Sequence, residues 1–526
     1  MKRIKWIALC AIFAVLSVFP VTGCGSEDAT KTLYIDISNA GYGIEWLDPL
    51  KEIYESEHDG ITVKIRSAVK NDGAYVNKFL SGVADTDLFI VETDVLSKVN
   101  TPVNANGQRY EIPFEDITDL YNEKIPGENV TVAEKMRPEY YEFNTYDGRN
   151  YTFPWVESMM GIVMNKNVYR ESWGKLPNTT KELIAFCDKV KEDGISPFIC
   201  SYDDPYWLDI YDVWMAQYNG RADMERFYDG YTLSGQYSGE RYIPEMFLDR
   251  GLEEALNVLD TLVNADNGYH SDLSYTLSFT AVQNKFLDAT KDKSKKDQFL
   301  FMIDGSWLQR EMEQNFEPDE INTVFVRIPV VSALGDKLGI TDETLSEIID
   351  YADGTVSAAP DFVSSKGIDR QEVIDKVTEA RRFAPSNHLH AAFIPVYGNK
   401  KDLAKDFIRL MASDRGIEAM MKKSQIKPPM KYDVEANAEI SVSSFMESFY
   451  DIAAVSDYTI FKQGALFRRG GLKLINGAGY FTYQLSAKSI NDRKSGAQIF
   501  AMNYDYVKQT ERWDTYLANA GITIDE

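Results

Sequence analysis

Histidine and cysteine are scarce: the 526-residue chain holds four of each. No framework of several disulfides can staple such a fold, and a metal centre built from these two residue types has little to draw on. His388 and His390 alternate on one predicted strand face, as two metal ligands would, but no clear third ligand accompanies them. Positive charge is also short. Lys and Arg total 56 against 81 Asp and Glu, for a net charge of −25 and a pI near 4.7. That balance excludes the electrostatic footprint of a nucleic-acid binder. The chain has no internal repeat, no nucleophile elbow, no phosphate-binding loop and no redox cysteine pair.

One long apolar run is present, at the N-terminus. Lys2, Arg3 and Lys5 precede it, and Trp6 to Val21 is interrupted only by Ser17 and Pro20. At 16 residues it is shorter than the roughly 20 a membrane span needs. Val21-Thr22-Gly23-Cys24 then places small residues before a cysteine, which resembles the lipobox of bacterial lipoproteins. The expectation is a lipoprotein signal peptide over 1–23, with lipidation at Cys24 and an anchor and tether over 24–31. Two acyl chains on Cys24 suffice for stable anchoring. The protein is then extracytoplasmic and held on the cell membrane. Cys187 falls on a predicted helix and Cys200 near the end of the next strand; a disulfide and two buried thiols both fit that placement.

A chain of this length exceeds one compact core and calls for two or more lobes. Hydrophobic residues make up 44%, ordinary for a folded protein, but the 31 Tyr and 8 Trp are a notable supply of flat faces with polar handles. Leu33-Tyr34-Ile35 opens a strand, the Ser38–Gly43 loop follows, and a helical stripe runs through Trp46, Leu50 and Ile53. Pro49 requires that this helix begin close by. Ile61 to Ile65 and Asp87 to Val91 read as further strands. This strand–helix alternation predicts an α/β fold with a largely parallel sheet. Thr179-Thr180-Lys181-Glu182 is a capping box for a helix packing on Leu183, Phe186, Cys187 and Val190. Phe299 to Ile303 is a strand, residues 331–382 carry two helical stripes, Ala391 to Pro395 is a strand, and Asp414 is expected to cap a late helix.

Several segments, in order, resemble the extracellular solute-binding proteins of carbohydrate ABC transporters, the family of maltodextrin-binding protein. "GYGIEWLDPLKEIYESEHDGITVKI" resembles its opening loop, helix and strand, and "FPWVESMMGIVMNKNVY" its crossing segment. "DDPYW" and "FMIDGSW" resemble its sugar-facing stretches, and "HAAFIPVYGNKKDLAKDFIRLMASDRGIEAM" its late strand and helix. Residues 331–382 depart from the pattern, as does a longer stretch around 225–245. The resemblance implies a two-lobe periplasmic-binding-protein-like fold with crossover hinge strands and a discontinuous arrangement. Lobe 1 would be 31–153 and 385–425, and lobe 2 would be 154–384 and 426–526. It further implies a monomeric receptor that closes on a sugar or oligosaccharide and docks on permease subunits, with no cofactor and no catalysis.

Sugars present hydroxyls at the rim and C–H faces above and below, so a sugar site needs aromatic plates and hydrogen-bonding acids or amides. Candidates by position are Tyr42 and Glu45 at the first loop, Glu92 ending a strand, and Trp155 with Glu157 in the crossing segment. Asp204, Tyr206 and Trp207 surround Pro205 at a helix start, Trp307 follows a strand, and Tyr483 lies near the C-terminus. Tyr211 and Trp214 share a helix face with Trp207 and are assigned to the core. The rival classes are an extracellular glycoside-acting enzyme using Asp203-Asp204, or Glu157 with Asp204, as paired carboxylates, and a binding protein for a peptide or a metal.

Overall fold

The computed structural model describes residues 31–523, apart from 68–71, 202–205, 292–296, 318–319, 435 and 478–480. Cys24 and Asp204 therefore lie outside the described residues. In the first lobe, strand β1 (Thr32–Ile37) lies between parallel neighbours β2 (Thr62–Arg66) and β3 (Leu88–Glu92), with Ile35 opposite both Ile65 and Leu88. The late strand His390–Phe393 pairs antiparallel with β3, Ala392 opposite Ile90. Leu33, Ile35, Ile37 and all of Leu88–Val91 are fully buried. Such unbroken apolar runs are what a sheet covered on both faces requires. Helix α1 (Leu47–Glu57) covers one face with Leu47, Leu50 and Tyr54, and Pro49 falls in its first turn, where no backbone donor is lost.

The second lobe has its own four-stranded sheet, in the order Thr323–Val326, Met160–Asn165, Phe299–Gly305, Ser196–Ile199. Met160–Asn165 runs antiparallel to both neighbours, while Phe299–Gly305 and Ser196–Ile199 are parallel. The capping box forms as expected: Thr179 accepts from the Glu182 amide and starts the helix Thr180–Glu192. Residues 331–382 hold three helices, Ala333–Leu338, Asp342–Ala352 and Arg370–Arg382, of which the first and last pack on the helix Trp207–Asn219. One boundary moves by a residue: Ser413, not Asp414, caps the helix Asp414–Ser424. Cys187 and Cys200 are buried and not joined in a disulfide, and burial pushes the Cys187 thiol up.

The chain passes between the sheets at three adjacent places. Phe153 bridges Ala392, Met159 bridges Ser386, and the Glu157 amide donates to the Lys427 carbonyl at 2.7 Å. Among the described residues no helix is long and apolar enough to cross a membrane.

Candidate functional site

The site begins where β1 leaves its sheet. Ser38 still donates to Ile90 of β3 at 3.0 Å, and the backbone then turns at Gly43, whose φ of +65° suits a residue without a side chain. The opposing wall comes from the second lobe, where Phe299–Gly305 ends and the short helix Leu308–Met312 starts, beside the helix Phe279–Lys291. Between them lies a cleft of about 600 Å³. Asn39, Gly41, Glu45 and Ser67 line it from the first lobe; Thr280, Gln283, Arg310, Glu311 and Glu313 line it from the second.

Both lobes touch at its inner edge. Tyr42 Oη donates to Ser158 Oγ at 2.7 Å and lies 2.7 Å from Ser306 Oγ, which donates in return because the phenol has only one proton. Burial drives the Tyr42 phenol pKa far up, against the opposing pull of the two serines, so it stays a neutral hydrogen-bonding hub. Trp307 meets Tyr42 edge-on with centroids 6.0 Å apart, and Tyr206 meets Trp307 at 6.0 Å and Phe279 at 5.1 Å. The indole of Trp307 is held between two backbones. A β-carbon would come within 2.9 Å of it at Gly41 and within 2.4 Å at Gly305.

Glu45 closes the mouth by pairing with Arg310, which also pairs with Glu313. Partial burial of Glu45 would raise its pKa, but the backbone donors and Arg310 outweigh it and hold the carboxyl low. Gln283 is fully buried on the cleft wall and donates from Nε2 to Asp304 at 3.1 Å and to Glu311 at 2.7 Å. Neutral oxygen acceptors, carboxylates and aromatic edges meet here, a combination suited to a hydroxyl-rich solute.

A family model of bacterial extracellular solute-binding proteins matches residues 50–444, most of the chain. The chain belongs to that family. Solved structures agree on the two-lobe fold. Maltose-bound MalE3 of T. maritima is 14% identical with a TM-score of 0.53, over 91% of this chain and 99% of that one. A chitin oligosaccharide binding protein is 13% identical with a TM-score of 0.55, over 92% and 99%. A probable secreted solute-binding lipoprotein from Streptomyces coelicolor is 12% identical with a TM-score of 0.56, over 91% and 99%. No match among curated proteins accompanies them.

In this solute-binding protein the anticipated residues separate into groups. Glu45 lines the cleft, and Tyr42, Tyr206 and Trp307 form the aromatic wall behind it. Trp155 sits one layer deeper: it stacks on Trp46 at 4.8 Å, donates from Nε1 to the Val91 carbonyl at 3.1 Å, and meets Tyr42 and His390 edge-on. Glu92 lies 4.0 Å from His390 Nε2, and burial pushes His390 down to about 4, so that ring is neutral. Trp207 is buried against Phe198, Trp214 and His270 instead of lining the cleft, because it shares the helix stripe of Tyr211 and Trp214. Glu157 also turns from the cleft. It accepts from Arg137 at 3.0 Å, from Tyr458 at 3.2 Å and from Lys427, all between the crossing segments. Tyr483 is 53% exposed on the helix Phe481–Ser486. His388 packs against Phe143 at 4.3 Å.

Gln283, Arg310, Glu311 and Glu313 were missing from the anticipated set. One signal for Gln283 was available: it interrupts the buried stripe of Val282, Phe286 and Leu287 with an amide. The acids around Arg310 read as ordinary solvated charge until the fold sets them opposite Glu45.

Proposed function

We propose that the protein is the receptor of an ABC importer for a sugar or oligosaccharide, held on the outer face of the cell membrane through lipidated Cys24. The observation that carries this reading is the interlobe cleft, with acids and amides on its walls and the Tyr42–Trp307–Tyr206 cluster at its inner edge. The structural neighbours named for maltose and chitin oligosaccharide support the same solute class. Ligand enters as the lobes part and stacks on Tyr206 and Trp307. Acids and amides take its hydroxyls, each charge-assisted bond contributing about 1.5–3 kcal/mol. Lobe closure follows from contacts that exist only in the closed arrangement, and the closed monomer docks on permease subunits. The ligand leaves chemically unchanged.

Thermal-shift screening against oligosaccharide, peptide and metal-ion panels tests the class. A saccharide at about 100 times its Kd adds about 2.7 kcal/mol to the folded state and raises the melting temperature. Stabilisation by peptides or metal ions, with none by any saccharide, overturns the reading. Release of a Cys24→Ala variant into the medium, with the wild type retained on membranes, is the expected result for the anchor.

A further inference from the structure

The cleft has a charge that its sugar-binding chemistry does not require. Its described lining carries three carboxylates, Glu45, Glu311 and Glu313, and one guanidinium, Arg310, a formal balance of 1 − 3 = −2. Arg310 is already engaged, by Glu45 on one nitrogen and Glu313 on another. An incoming anion would therefore compete with two carboxylates for the single cation among the described lining residues. A fourth carboxylate, the fully buried Asp304, stands directly behind Gln283.

Gln283 supplies an independent observation. Its Nε2 faces the carboxylates of Asp304 and Glu311, both acceptors, so the amide orientation is fixed: the nitrogen must point at them. That leaves Oε1 as a buried carbonyl oxygen without a hydrogen-bond partner among the described residues, on a fully buried side chain that lines the cleft. A buried acceptor without a donor is destabilising, and a ligand donor relieves it. Ser67 Oγ on the facing wall is likewise without a partner among the described residues. The unmet demand at the amide is for an N–H or O–H group, and the surrounding field favours one that carries positive charge.

We propose that the cleft selects its saccharide by charge, taking sugars with a free, protonated amino group ahead of neutral ones and rejecting uronic acids. The ammonium donates to Gln283 Oε1 within the field of Glu311 and Glu313. This rests on the carbohydrate reading above and narrows it to amino sugars that are not N-acylated.

The test is calorimetric titration of the full mature chain with tetramers of glucosamine, glucose and glucuronic acid, in both β-1,4 and α-1,4 linkage. It is run near pH 6, where most of a sugar amine is protonated, at low and at high salt. The expected order is glucosamine tighter than glucose by roughly tenfold, and glucuronic acid weaker than glucose by at least as much, both gaps shrinking as salt screens the field. Glu313→Gln, on a partly exposed side chain, narrows the glucosamine-to-glucose ratio, and Gln283→Leu weakens the glucosamine tetramer most. Glucuronic acid binding as tightly as glucose overturns the charge selection and leaves the carbohydrate reading standing. Equal affinity for glucosamine and glucose at low salt overturns the amino-sugar preference. Failure of every tetramer to bind overturns both.

Discussion

Replacing Glu157 by Gln tests whether the hinge is held by a buried ion cluster. The carboxylate is fully buried and touches Lys427, Arg137 and the Tyr458 hydroxyl, while Arg137 also donates to the carbonyls of Ala453 and Ser456 at 2.8 and 2.7 Å. Glu157→Gln removes the carboxylate that bridges the buried Lys427 and the partly buried Arg137 but keeps one oxygen acceptor, and Arg137 retains its pairing with Glu139 at 2.9 Å. Breaking a buried pair from one side typically loses about 3–5 kcal/mol, and the retained acceptor places Gln near the lower end, at about 3 kcal/mol. Glu157→Ala belongs at the upper end. The assay is denaturant unfolding at neutral pH, repeated down the acid range. Burial raises the Glu157 pKa, but Lys427 and Arg137 outweigh it, so the folded-state value is lower than the unfolded one. The stabilisation is therefore present above the unfolded carboxylate pKa of about 4.3 and is lost as pH falls through the lower folded value. The gap between wild type and Glu157→Gln should close over that acid window. A loss below about 1 kcal/mol at neutral pH, or a gap that ignores pH, would refute the argument.

Asp212 behaves in the opposite sense. Burial pushes its pKa up to about 7 against the hydrogen bonds from Tyr228 and Thr459, so the folded chain stays protonated where the unfolded chain has already ionised. Stability is lost as pH rises from about 4 to about 7, and Asp212→Asn should stabilise the protein at pH 8 by up to about 4 kcal/mol with little effect at pH 4. Equal shifts at the two pH values in denaturant melts would dispose of this. Gly41→Ala sets a methyl 2.9 Å from the Trp307 indole and forces the lobes apart or the ring aside. Small-angle scattering should show a larger radius of gyration in the variant, and an unchanged radius with unaltered tryptophan emission counts against it.

The fold was largely legible because its signals are local. The apolar runs Leu88–Val91 and Phe299–Ile303, the Thr179 capping box and Pro49 near a helix start each constrain the backbone within a few residues. The site was legible only in part. Tyr42, Glu45 and Trp307 follow strands, where open sheets present their ligand edge, and that position sets them at or beside the cleft. Glu157 and Trp207 have the same composition-level signature as ligand residues, and only their neighbours distinguish them. Lys427 lies far along the chain from Glu157, and Trp207 is turned inward by the helix stripe it shares with Tyr211 and Trp214. Gln283 was obscured for the converse reason: its partners Asp304 and Glu311 lie on a different strand and helix.

The placement of Trp307 has an optical consequence. Its indole is bounded by Gly41 of one lobe and Gly305 of the other, with Tyr42 at its edge. Trp46, Trp155, Trp207 and Trp214 are fully buried, and would keep their surroundings were the lobes to part as rigid bodies. Separation of the lobes hydrates the first of these rings far more than the others. A red shift in emission that disappears in Trp307→Phe would then read the distance between lobes directly, without a label.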